Sequence, residues 1–159
     1  MYRHTDGFTL IEVLVVMGVV AILLLITTQS LFQSQAAANL DTTVTEIRND
    51  IRQQQLYAME GATSSAELLS NYSVYFSATS YTLFAGDSYS STNATNYTAP
   101  LSGPVRIVAT TFPNNTVTFA RLSGDVSGFV SGQDSVTVED VQSGASRVIQ
   151  LNRYGVMVH

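Results

Sequence analysis

The chain has 159 residues, a formal net charge of −5 and no cysteine. This length suffices for one small domain and an additional segment. The absence of cysteine excludes a disulfide-stabilised fold, and the acidic balance excludes a generally basic surface for nucleic acid or anionic lipid.

An almost wholly apolar stretch runs from Phe8 to Ile26, and Glu12 is its only ionisable residue. As an α-helix it would extend roughly 28 Å, close to the hydrocarbon thickness of a bilayer, so we predict a single-pass transmembrane helix. A carboxylate inside the membrane costs about 3 kcal/mol or more unless it is paired. Two interpretations remain open. Glu12 lies at the membrane edge, protonated or reaching the interface, or its cationic partner comes from another chain or from a new N-terminus created just upstream.

The stretch Gly7-Phe-Thr-Leu-Ile-Glu-Val resembles the class III signal of type IV pilins and type II secretion pseudopilins. The resemblance implies that a prepilin peptidase cuts between Gly7 and Phe8 and that Phe8 becomes N-methylated. It also implies that Glu12 faces the amine of a neighbouring subunit's Phe8. Residues 1–7 would then be a cleaved leader, and residues 8–30 the transmembrane helix that forms the filament core. An arginine in the leader favours a cytoplasmic N-terminus, with the rest of the chain periplasmic or extracellular.

The helical pattern continues beyond the membrane stretch, and we assign residues 31–60 to an amphipathic stalk. Its apolar residues recur at steps of three, four or seven, as on one face of an α-helix: Leu40, Val44, Ile47, Ile51 and Ala58. Gly61 is a plausible stop signal. A dimeric coiled coil is the alternative, but the pattern spans only about three heptads, and we favour packing on the chain's own domain.

Residues 61–159 are predicted to form a β-rich head, because from Tyr72 onward the pattern changes to alternation. The alternating sets are Tyr72/Val74/Phe76, Val117/Phe119 and Tyr154/Val156/Val158, and turn residues separate the candidate strands. These strands are Tyr72–Ser77, Tyr81–Ala85, Val105–Thr111, Thr116–Arg121, Ser135–Asp140, Arg147–Asn152 and Tyr154–Val158. The predicted fold class is α+β, a long N-terminal helix packed on a small antiparallel β-sandwich. The stretch from Gly86 to Pro100 is predicted to be irregular, either a solvated loop or a binding or subunit-contact loop.

The head also shows a looser resemblance to GspH/FimT-type minor pseudopilins and minor pilins. It rests on the order of four segments, which begin at Tyr72, Tyr81, Val117 and Arg147. The resemblance implies a β-sandwich head on a pilin helix. Some FimT-like pilins take part in DNA uptake through Arg-rich C-terminal strands, which makes Arg147 and Arg153 candidate DNA contacts here. The acidic balance makes nucleic-acid binding the less favoured alternative.

The sequence offers few candidates for catalytic residues, because its only histidines are His4, in the leader, and His159, the last residue. We predict no catalytic residue, metal or cofactor. The loop acids offer a weak alternative in a calcium site, which would require folding to gather three of them: Asp87, Asp125, Asp134, Glu139 and Asp140.

The sequence therefore predicts a non-enzymatic minor pilin or pseudopilin of the inner membrane. Its partners would be other pilins or pseudopilins, the prepilin peptidase and an inner-membrane assembly platform. The sequence leaves open whether the machine is a type IV pilus, a type II secretion system or a competence pilus. A membrane-anchored monomeric sensor is a further alternative, which would require neither cleavage at Gly7 nor Glu12.

Overall fold

The computed structural model describes residues 9–61 and 70–158, and the side chains of residues 26–36 are outside the description. The chain divides into two compact units, one ending at Gln35 and the other beginning at Ala36. Helix α1 (Leu10–Glu60) contributes residues to both units.

The part of α1 within the second unit is amphipathic, as predicted. Its buried apolar residues are those of the predicted stripe, each at most 3% exposed: Leu40, Val44, Ile47, Ile51 and Ala58. The helix ends at Glu60, and Gly61 follows with a φ of 64°, a conformation that favours glycine after a helix C-terminus. The carbonyl oxygen of Ala58 accepts a hydrogen bond from the Leu122 N–H at 2.8 Å, so the head supplies a donor to the last turn.

The described part of the chain contains eight strands: β1 (Tyr72–Phe76), β2 (Ser80–Ala85), β3 (Tyr97–Pro100), β4 (Val105–Thr110), β5 (Thr116–Phe119), β6 (Ser135–Asp140), β7 (Ser146–Leu151) and β8 (Met157–Val158). They form two four-stranded sheets in which every pairing is antiparallel. Sheet I has the order β3-β2-β1-β5, and sheet II has the order β4-β6-β7-β8. A short 3₁₀ turn, Pro113–Asn115, precedes β5.

One hydrophobic core joins the helix to both sheets. The stripe of α1 belongs to the same buried cluster as Val74, Phe76, Val117 and Phe119 of sheet I. Sheet II contributes six buried side chains to this cluster: Val105, Ile107, Val136, Val138, Ile149 and Leu151. The α+β prediction and the packing of the stalk on its own head are therefore confirmed.

Strand β3 was missing from the sequence prediction, which treated the whole stretch from Gly86 to Pro100 as irregular. The structure places Tyr97–Pro100 at the edge of sheet I, paired with β2. An edge strand tolerates a proline, because one of its sides needs no N–H donor. Tyr97 is 64% exposed, so this strand shows no buried alternation that the sequence could reveal.

The alternating set predicted at the C-terminus does not form the buried face of its strand. Tyr154, Val156 and Val158 are all exposed, whereas Gly155 is buried and Met157 packs against the core. Strand β8 is only Met157–Val158, and Met157 lies opposite the buried Leu151. Directly opposed residues share a sheet face, so this pairing turns Met157 inward and Val158 outward.

Candidate functional site: the N-terminal helix segment

The predicted cleavage and methylation site, Gly7 and Phe8, lies outside the described residues. The description begins at Thr9, immediately before α1. The first turn of α1 is therefore the part of the predicted site whose geometry is known.

Thr9 caps the N-terminus of α1. The N–H of Glu12 donates to Thr9 Oγ1 at 3.3 Å and to the Thr9 carbonyl at 3.1 Å, and the N–H of Val13 donates to the same carbonyl at 3.3 Å. Thr9 and Glu12 thus occupy the two positions of a capping box, where a threonine side chain accepts from the N–H three residues on. A carboxylate in the first turn also interacts favourably with the helix dipole. The sequence signal, Thr-x-x-Glu, was present but was not used in the sequence prediction.

The apolar side chains on both sides of Glu12 in the sequence are exposed within this single chain. From Leu10 to Leu25 the large hydrophobic residues range from 47% exposed at Val20 to 83% at Leu10. Contiguous apolar surface of this extent marks contact with another protein or with lipid. Among the residues that the structure describes, no helix is both long enough and apolar enough to cross a membrane.

The two candidate DNA contacts lie at opposite ends of β7. Arg147 pairs with the helix, since its Nε donates to Asp41 Oδ1 at 3.0 Å. Both side chains are about half exposed, 47% and 58%, so solvent screens this ion pair and it contributes at most about 1 kcal/mol. Arg153 is exposed in the turn after β7, where its carbonyl oxygen accepts from the Val126 N–H.

The acids proposed for a calcium site make separate hydrogen bonds. Asp87 accepts from Asn71 Nδ2, and Asp134 accepts from Gln150 Nε2. Within the described parts of the chain, no group of three or more histidine, cysteine or acidic side chains lies close enough together to hold a metal ion.

Asp140 is a buried carboxylate at the turn between β6 and β7. Its Oδ1 accepts from the backbone N–H groups of Ser143 and Gln142, both at 2.9 Å. The Ser143 N–H is the largest influence on this group, and together the two N–H donors lower the pKa of Asp140 despite the opposing effect of burial. The Asp140 side chain therefore stabilises this turn in its ionised form.

A tyrosine–aspartate bond joins the helix to sheet I. The Tyr81 hydroxyl donates to Asp50 Oδ2 at 2.5 Å. Burial, followed by the hydrogen bond to Asp50, raises the pKa of Tyr81 well above its ordinary value, so the phenol remains a donor at all physiological pH values. Helical periodicity groups Asp50 with the polar residues of the stalk and gives no signal for this contact.

Comparison with known proteins identifies the N-terminal segment alone. Residues 2–28 match the family model of the prokaryotic N-terminal methylation motif, a type IV pilin-like prepilin signal. This match supports the prediction of a pilin-like or pseudopilin subunit that a prepilin peptidase processes, and the motif family is structural rather than enzymatic. No curated protein and no solved structure matches the chain.

Proposed function

We propose that the protein is a minor pilin or pseudopilin that is assembled into a filament through its N-terminal helix. The observation that carries the proposal is the methylation motif at residues 2–28, together with the exposure of the apolar helix side chains from Leu10 to Leu25 that lie within it. The α+β fold of the second unit agrees with the GspH/FimT-type resemblance, which implies a β-rich head packed on a pilin helix.

The proposed maturation begins at the membrane. Prepilin peptidase cuts between Gly7 and Phe8 and methylates the new Phe8 amine. The mature subunit is held in the inner membrane by its apolar helix, with the head periplasmic or extracellular, until an assembly platform extracts it. Packing between small and apolar side chains of neighbouring helices would then supply most of the cohesion, because moving from lipid to protein yields little hydrophobic gain.

Glu12 sets the register between subunits in this proposal. A carboxylate in a low-dielectric helix bundle is costly when it is unpaired and tolerable when a cation meets it. The Phe8 amine of the next subunit is that cation. Capping by Thr9 uses the backbone N–H of Glu12 and not its carboxylate, so the same residue is able to serve both roles.

The proposal is tested by mass spectrometry of the N-terminus, with the chain expressed beside a prepilin peptidase. We expect the seven residues of the leader to be absent and one methyl group to be present on Phe8. Gly7→Val should leave the chain at full length. Gly18→Ala is the matched glycine control and should be processed normally, because an added Cβ at Gly18 meets no atom within 4 Å. A mature wild-type chain that still begins at Met1 would refute the assignment.

A further inference from the structure

A groove opens beside the packed part of α1, against β2 and the edge of sheet I. Its volume is about 540 Å³, within the range of small-ligand sites. Four helix residues line it: Asp50, Gln53, Gln54 and Tyr57. The opposite wall comes from sheet I and from the end of the Gly86–Pro100 stretch: Tyr72, Leu83, Phe84, Ala85, Thr95 and Tyr97. All these residues belong to the second unit.

Three tyrosines give the groove aromatic surface. The rings of Tyr57 and Tyr72 are in contact, with centroids 5.7 Å apart and planes tilted by 50°. Tyr97, on β3, is 64% exposed although its ring borders the groove. Because the rings of Tyr57 and Tyr72 are in contact, they form a continuous aromatic surface. The electron-rich faces of such rings attract the weakly positive C–H groups on one face of a saturated sugar ring.

Hydrogen-bonding groups surround this aromatic surface. Asp50 uses Oδ2 to accept from Tyr81, and Oδ1 has no partner among the described residues. Gln53 Nε2 donates to the Tyr57 hydroxyl at 2.6 Å, which leaves the Gln53 carbonyl oxygen as a further acceptor.

Gln54 is the least expected residue of the groove. Its side chain is only 5% exposed, and its Oε1 is buried without a hydrogen-bond partner in the described structure. Native proteins rarely leave a buried polar atom unpaired, and each such atom calls for an explanation. If the side-chain amide of Gln54 rotated, one of its polar atoms would face the groove. A hydroxyl group of a bound ligand would then supply the missing hydrogen bond.

The chemistry of the lining selects one ligand class. Among the described lining residues there is no arginine, lysine or histidine, so an anion would meet Asp50 without a compensating cation. An apolar ligand would leave the polar groups of Asp50, Gln53 and Gln54 unpaired. A ligand with apolar ring faces and hydroxyl edges satisfies both parts of the lining.

We propose that this groove binds a short neutral oligosaccharide. The sugar face stacks on Tyr57, Tyr72 and Tyr97, and its hydroxyls donate to Asp50, Gln53 and Gln54. The described residues that line this site all belong to the second unit, so the proposal does not rest on the proposed filament function.

The test is a titration of the full chain, solubilised in a polyoxyethylene detergent whose headgroup carries neither sugar nor charge. Saturation-transfer difference NMR would be recorded with four neutral probes: maltotriose, cellotriose, N-acetylated chitotriose and mannotriose. We expect saturable binding of at least one probe. Tyr97→Ala should raise its Kd roughly three- to tenfold, as expected for one lost aromatic contact.

Tyr154→Ala is the matched control, because Tyr154 is exposed to the same extent, 65%, but does not line the groove. It should leave the Kd unchanged. The proposal is overturned if none of the four sugars binds, or if both variants change the Kd equally. It is also overturned if tetramethylammonium or inorganic phosphate binds more tightly than every sugar, since this would assign the groove to an ion.

Discussion

Ile47 offers the most direct test of how the helix is held against the sheets. The residue is fully buried within the core that joins α1 to both sheets. Ile47→Ala removes three carbon atoms at this point and leaves a cavity, which costs about 2–4 kcal/mol at such core positions. Alanine favours the helix, so the loss would come from packing and not from helix propensity.

The expected shift follows from the size of the packed unit. For the roughly 120 residues that follow Gln35, each kcal/mol of lost stability lowers Tm by about 4 °C. Ile47→Ala should therefore lower Tm by about 8–16 °C, measured by near-ultraviolet circular dichroism of the tyrosines. Leu56→Ala is the control on the same helix, because Leu56 is 48% exposed, and it should shift Tm by less than about 4 °C.

Equal shifts in the two variants would refute the packing that places Ile47 in the core. A wild-type Tm that rises with protein concentration would point instead to the dimeric coiled coil considered from the sequence, because dimer stability depends on concentration.

Three further predictions concern single residues. Glu12→Ala and Glu12→Gln should both leave membrane insertion intact and reduce incorporation into filaments, because neither side chain carries the negative charge that would meet the Phe8 amine, measured by immunoblot of the sheared fraction; normal incorporation of Glu12→Gln would show that this charge is not required. Gly155→Ala should lower Tm more than Gly128→Ala. Both glycines have positive φ, but only at Gly155 would an added Cβ meet Gln55 and, at 3.0 Å, the Phe119 ring. Equal decreases in Tm would contradict this close packing at Gly155. Asp140→Asn tests the lowered pKa of Asp140. The difference in Tm between the wild type and this variant should be constant down to about pH 4 and should shrink at lower pH, because protonation of Asp140 removes a stabilisation that requires the ionised carboxylate. A Tm difference that stays constant through the acid range would refute this role of Asp140.

The link between Tyr81 and Asp50 shows why part of the core arrangement escaped sequence reasoning. Periodicity assigns each helix residue to an apolar or a polar face, and Asp50 belongs to the polar one. The structure nevertheless brings Asp50 to a buried tyrosine of β2, 31 residues away. Only the packing of the helix on sheet I creates this contact, and the same packing forms the groove proposed to bind sugar.

The prediction for the C-terminal strand was wrong for a related reason. Tyr154, Val156 and Val158 alternate as an inward-facing set would, but alternation fixes only which residues share a face and not which face turns inward. The pairing of Met157 with the buried Leu151 decides that question. Strand β3 forms because β2 provides a pairing partner. Tyr97 and Thr98 are residue types common in strands, but the segment is only four residues long and ends in proline, so sequence alone did not reveal it.

The sequence by itself determined the N-terminal motif, the amphipathic stripe that ends before Gly61, and the change from helical to alternating periodicity near Tyr72. Each of these features depends only on residues that are close together in the chain, so it can be read directly from the sequence. Tertiary structure alone decided the order of the strands within the two sheets, the inward face of β8, the Asp50–Tyr81 bond and the tyrosine-lined groove. Each of these depends on contacts between residues far apart in the chain, and such contacts are set by how the helix and both sheets fill one common core.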